Sequence, residues 1–116
     1  MIGQSMFEVM IPGQVSTNSN REMITSWRST LERLFASLHV SNVQRSKISV
    51  ELRFWLAPER LYGLRRNDLD NLAKPVLDAM KRIGIIQDDA DIFRLEITKF
   101  PTNGEEGVYV RVRDWN

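Results

Sequence analysis

The chain predicts one α+β domain: a mixed sheet and two main helices in the order β-α-β-α-β-β over residues 1–116. Three observations predict it. Apolar residues alternate with period two in four short segments, the mark of half-buried strands. In two longer segments they recur at helical spacing. A length of 116 residues with 42% hydrophobic content suits a single core. The last two strands flank a short Asn-Gly turn and read as a hairpin, while the earlier ones need helical crossovers. Together these make the sheet mixed.

Taken in order, Met6 to Ile11 alternates Phe7, Val9 and Ile11 with Met6, Glu8 and Met10, and Pro12-Gly13 ends this strand. Ser19 and Glu22 form an S-x-x-E capping box. After it, Ile24, Trp27, Leu31, Leu34, Phe35 and Leu38 mark a core-facing helix over about Asn20 to Leu38. Trp27 is a packing residue in this reading, and His39, the only histidine, is a partner for the helix C-terminal dipole. Lys47 to Leu56 alternates most regularly, with Ile48, Val50, Leu52, Phe54 and Leu56 on one face. A basic loop, APERLYGLRRN, follows. The second helix begins after Asp70-Asn71 with Asn71 as N-cap, which puts Pro75 in its first turn, where proline is tolerated. Lys81-Arg82 and Gly84 close it. Ile92 to Lys99 and Val108 to Arg113 are the last strands.

Composition narrows the function classes. Without cysteine there is no disulfide or thiolate metal site, which fits a reducing cytoplasm. No apolar run approaches the roughly 18 residues of a membrane span, and MIGQSMFEVMIPG has neither the basic start nor the apolar stretch of a signal peptide. The net charge is only +1, but it is unevenly spread. Arg45, Lys47, Arg53, Arg60, Arg65 and Arg66 stand against Glu51 and Glu59 between positions 45 and 67.

The acidic residues concentrate where chemistry is expected. RRNDLDNLAKPVLDAMKRIGIIQDDADIFRLEITK, from Arg65 to Lys99, places Asp68, Asp70, Asp78, Asp88 and Asp89 around the second helix. An extended Asp68-x-Asp70 would present both carboxylates on one side, since strand side chains repeat every two residues. Oxygen-rich sets of this kind suit a hard cation such as Mg²⁺, or Mn²⁺ in its place. A third carboxylate comes from beyond the helix. Asp88 and Asp89 point opposite ways on an extended connector, so only one of them can be a ligand. Lys74, one turn past Asp70, is placed to hold a phosphate. Arg65, Arg66 and Lys99 are candidates for phosphate contact. Asp78 reads as a surface salt-bridge partner.

This run resembles the signature of the RusA family of Holliday-junction resolvases: an R-x-D-x-D-N-x-x-K block, a helix ending D-A-[LM]-x-x-x-G, a D-D pair and a strand ending in Lys. The matching residues are Arg66, Asp68, Asp70, Asn71, Lys74, Asp78, Ala79, Met80, Gly84, Asp88, Asp89 and Lys99. Asn67 stands where some members carry another basic residue, and Pro75 follows the lysine. The resemblance implies a metal-dependent endodeoxyribonuclease that resolves four-way DNA junctions, with Asp68, Asp70 and Asp89 holding the metal and Lys74 joining them in catalysis. Asn71 and Asp88 then cap or support these ligands. It also implies a homodimer acting on branched DNA, no cofactor beyond the metal, and a bacterial or phage setting. Rival readings are a nuclease for other branched DNA, a catalytically silent DNA-binding module of the same fold, and a small-molecule phosphatase.

Chain geometry sets a condition on that site. A helix from Leu72 to Ile83 is about 18 Å long, and the five residues after Gly84 span at most about 17 Å. Asp89 therefore returns to Asp68 and Asp70 only if the connector doubles back along the helix. If it runs straight on, the site must be assembled between subunits, or there is none.

Overall fold

A computed structural model describes residues 5–38, 47–62 and 67–115. The elements are β1 (Ser5–Pro12), α1 (Arg21–Ser37), β2 (Ile48–Leu56), a single turn α2 (Pro58–Leu61), α3 (Leu69–Ile83), a 3-10 turn (Asp89–Asp91), β3 (Ile92–Pro101) and β4 (Gly107–Asp114). The predicted α+β class and the mixed sheet are both present. Strand order is β1-β4-β2-β3, with β1–β4 and β4–β2 antiparallel and β2–β3 parallel.

The expected β3–β4 hairpin does not form. Asn103-Gly104 does turn the chain, but β4 passes over the end of β2 and pairs between β1 and β2. Crossing one strand means spanning about 10 Å, within reach of five linking residues. The link is bonded to the strand it crosses: Thr102 N donates to Leu56 O at 2.9 Å, and the Glu106 carboxylate accepts from Ala57 N at 2.8 Å and pairs with Arg60. Burial explains the choice. Val108, Val110 and Val112 are fully buried, which suits an inner strand, whereas Phe93 and Leu95 of β3 stay more than two-fifths exposed, as an edge strand tolerates.

Both long helices lie on one face of the sheet. The alternation read in β2 holds: Ile48, Val50, Leu52, Phe54 and Leu56 are buried, while Arg53 faces outward. They meet Trp27, Leu31 and Phe35 of α1 and Leu72, Val76 and Met80 of α3 in one core. Trp27 is 1% exposed, a packing residue as read. Its ring lies against Gly13, where an added Cβ would come within 2.9 Å of it, so the glycine that ends β1 also admits the indole. Helix α1 is capped by Asn20 and not by the Ser19–Glu22 box. Asn20 Oδ1 accepts from Met23 N at 3.3 Å, and the Ser19 hydroxyl bonds Thr17 at 2.6 Å instead. The expected role of His39 falls outside the described residues.

Helix α3 starts three residues earlier than Pro75 suggested. Asp68, with φ −77° and ψ 147°, is the N-cap, and Leu72 N donates to Asp68 O at 3.0 Å. Pro75 therefore sits in the helix interior, where it forfeits the bond to Asn71 O and costs about 3 kcal/mol. Burying Leu72, Pro75, Val76, Ala79 and Met80 on the core face offsets that cost. At the other end Gly84 adopts φ 86°, and its N–H and that of Ile85 reach back to Lys81 O and Met80 O. No atom crowds a Cβ there, so Gly84→Ala should cost only the left-handed backbone penalty, about 1 kcal/mol. A lower urea midpoint with an unchanged slope would report it.

Candidate active site at the N-terminal end of helix α3

Starting α3 at Leu69 changes the Asp68/Asp70 pair. Asp68 remains extended, but Asp70 is the second helical residue, so the two do not form the continuous extended D-x-D that the sequence suggested. Both carboxylates are exposed at the helix N-terminus, where unpaired N–H groups and the helix dipole favour negative charge. The Asp68 side chain makes no cap hydrogen bond. Asn71, expected as the cap, lies exposed in the first turn and does not cap the helix. One turn on, Lys74 is exposed beside Asp70 at i+4, and neither has an ion-pair partner among the described residues.

β3 delivers one further residue to this end. Lys99 Nζ donates to Asn67 O at 2.6 Å, which ties the end of β3 to the residue before Asp68. Lys99 is thus close to Asp68 in space, with its ammonium engaged by the backbone. Asn67 also bonds Arg60 O through its backbone N–H (3.2 Å) and its side chain (3.1 Å), closing the base of the loop between them. Arg65 and Arg66, the expected phosphate contacts in that loop, lie outside the described residues. Part of the local basic excess is neutralised: Arg53 pairs with Glu51, and Arg60 with Glu106.

Asp88 and Asp89 sit at the opposite end of α3. Ile85 and Ile86 are buried, and both their N–H groups are held by Met80 O, so the connector is used in closing the helix and does not double back. The Asp88 side chain accepts from Ala90 N at 3.4 Å and caps the 3-10 turn. Asp89 accepts from Lys81 Nζ at 3.0 Å, and Lys81 also lies 3.5 Å from Asp78, the salt-bridge partner that was expected. The hydrogen bond that Lys81 donates to Asp89 raises the Lys81 pKa, outweighing the opposing effect of desolvation. That linkage stabilises the fold below the ordinary value of 10.5 and is lost only as pH rises through the raised one, so it is constant near neutrality.

From Asp70 to Lys81 is eleven residues of helix, about 16 Å. Among the described residues no three Asp, Glu, His or Cys side chains converge to hold a metal ion within one chain. Asp68 and Asp70 share one end with Lys74, while Asp89 is at the other. What joins them is a groove between α3 and β3, lined by Asp70, Lys74, Asp78, Lys81 and Asp89 over Leu95 and Ile97. Lys81, read from the sequence only as a dipole partner, is the residue that fixes Asp89. The 74, 78, 81 spacing on one helix stripe is the signal that could have shown it.

Comparison with known proteins decides the family. The profile described as Endodeoxyribonuclease RusA matches residues 13–113. The chain belongs to the RusA family. A crossover junction endodeoxyribonuclease RusA of Aquifex aeolicus (strain VF5) is 36% identical over 67 residues, 58% of this chain and 49% of that protein. The chain thus aligns with about half the length of this RusA relative. No helix among the described residues is long and apolar enough to cross a membrane.

Proposed function

We propose that the protein is a Mg²⁺-dependent endodeoxyribonuclease that resolves four-way DNA junctions by paired symmetric nicks, in recombination and repair, as a homodimer in the cytoplasm. One observation carries the reading: Asp68, Asp70 and Lys74 stand exposed together at the N-terminal end of α3, inside the segment matched to the RusA family. Asp68, Asp70 and Asp89 are the proposed metal ligands. A bound cation would supply an activated water and neutralise charge on the phosphate. The carboxylates of one chain do not converge on such an ion, so no step through it is assigned to a single chain. The chain's own contribution is a cation at Lys74 to hold the scissile phosphate, with Lys99 and the loop before Asp68 along the DNA backbone.

The test is cleavage of a synthetic four-way junction with and without Mg²⁺, beside flaps, forks and linear duplex. Symmetric nicks in the junction that require Mg²⁺ are expected. Cleavage confined to flaps or forks would replace the junction with another branched substrate. Binding should also be strongly salt-dependent despite the net charge of +1. Neutralising Arg65 and Arg66 together should lower the slope of log K against log salt by roughly two units if each contacts a phosphate. An unchanged slope would take that loop out of the DNA footprint.

A further inference from the structure

We infer that the polar cavity between the loop after β1, the single turn α2 and Asn67 takes one unpaired nucleobase with an exocyclic amino group, from the DNA strand that is cut. The inference rests on the DNA-cleaving reading above for the identity of that strand; the preference for such a base rests on the cavity alone.

The cavity holds about 460 Å³, within the range of small-ligand sites, and its walls include Gln14, Thr17, Asn20, Glu59, Arg60 and Asn67. Asn67 immediately precedes Asp68, so whatever fills the cavity lies beside the N-terminal end of α3. The fold fixes both sides. Val15, Ser16 and Thr17 are buried, Ser16 Oγ donates to Gln14 O at 3.1 Å, and Asn20 N donates to Thr17 O at 3.0 Å. Glu106 ties the loop after β1 to α2. Its backbone O accepts from Gly13 N at 2.9 Å, and its carboxylate accepts from Ala57 N at 2.8 Å and pairs with Arg60.

The charges favour a neutral, hydrogen-bonding guest over a phosphate. Arg60, the cation of the cavity among the described residues, is already paired with Glu106, whereas Glu59 is exposed and has no ion-pair partner among them. An ionised carboxylate accepts hydrogen bonds and donates none, so Glu59 attracts an N–H and repels an anion. The Gln14 side chain is also exposed, and no described residue bonds its amide, which leaves a donor and an acceptor for the edge of a base. A Gln amide pairs with base edges in this two-pronged way, and a carboxylate accepts from an exocyclic amino group. Cytosine, adenine and guanine carry such a group. Thymine and uracil present a carbonyl in its place, which Glu59 repels. Met23, in the same wall, offers the face of the ring a polarisable sulfur.

A base reaches the cavity where it is already out of the stack. The centre of a branched junction is such a place, since extrusion costs least for a base that is mispaired or single-stranded. A phosphate held at Lys74 marks the strand, and Asn67 sets the base next to that phosphate. The cavity thereby supplies a base preference at the cut, which phosphate contacts do not carry.

The test has two arms, both on the full chain. In the first, metal-free protein binds short single strands of deoxycytidine or of deoxyuridine, read by fluorescence anisotropy. The two strands differ only at the base edge that Glu59 and Gln14 would meet. Wild type should bind the cytosine strand at least about fivefold more tightly, and Glu59→Ala or Gln14→Ala should bring the two affinities within about twofold of each other. Equal affinities in wild type, or an undiminished preference in either variant, overturn the cavity as a base site; a thermal melt confirms that each variant is folded. In the second arm, four-way junctions with cytosine or uracil next to the scissile phosphate, each opposite its matched base, are cut with Mg²⁺ in single turnover. Wild type should cut the cytosine junction at least about fivefold faster, and each variant should lose that difference. Equal cutting of the two junctions by wild type takes the cavity off the cut strand and overturns its assignment. If no junction is cut at all, the DNA-cleaving reading of the preceding section fails, and the first arm still decides the base site.

Discussion

Asp70→Asn should abolish junction cleavage and leave junction binding intact. The substitution preserves side-chain volume and removes one negative charge at the proposed metal site. The basic loop, Lys74 and Lys99 that would meet the DNA backbone remain. The expected loss is at least about 10³-fold in the cleavage rate with Mg²⁺ present, equivalent to roughly 4 kcal/mol of transition-state stabilisation. Stability should hardly change. Asp70 is exposed and has no ion-pair partner among the described residues, so the fold loses only a first-turn charge–dipole interaction of about 0.3–1 kcal/mol. Gel-shift binding without Mg²⁺, a thermal melt and a cleavage time course separate the three quantities. A variant that cuts at the wild-type rate removes Asp70 from the site.

Lys74→Ala should damage the chemical step more than binding. Lys74 follows Asp70 by one helical turn, exposed at the mouth of the groove. An ammonium there reaches a phosphate that lies against the end of α3. Removing a cation that contacts the transition state costs about 10²–10³ in rate. If Lys74 were only an i,i+4 neighbour of Asp70, its loss would change stability by a few tenths of a kcal/mol and turnover hardly at all. Single-turnover cleavage at saturating protein isolates the step after binding. A defect that vanishes at saturation would make Lys74 a DNA-positioning residue and leave the chemistry with the aspartates.

Much of the architecture was legible because its signals are local. The period-two alternation of β2 reports burial on one face, and each of its five apolar positions is buried. The α1 stripe of Ile24, Trp27, Leu31 and Phe35 is buried in the same way. Gly84 ends α3 in the left-handed conformation that its position suggested. The start of α3 was misread because Pro75 argues locally for a later cap. The core contacts of Leu72, Val76, Ala79 and Met80 that sustain a helix through an interior proline are tertiary. Asn20 displaced the Ser19–Glu22 box for a local reason, since Ser19 is held by Thr17 two residues before it.

By itself, the sequence determined the α+β class, the two main helices and the four strands, and it singled out the residues proposed for the chemistry, because periodicity and motif spacing act over a few residues. Tertiary structure alone decided where β4 lies and where Asp89 stands. An Asn-Gly turn specifies a reversal of direction but not which strand the chain will pair with, and the fully buried valines of β4 need neighbours on both sides. Likewise, the connector after Gly84 has nearly the length to carry Asp89 back toward Asp70. The burial of Ile85 and Ile86 and the Lys81 ion pair hold it beside Lys81 instead, eleven helical residues on from Asp70.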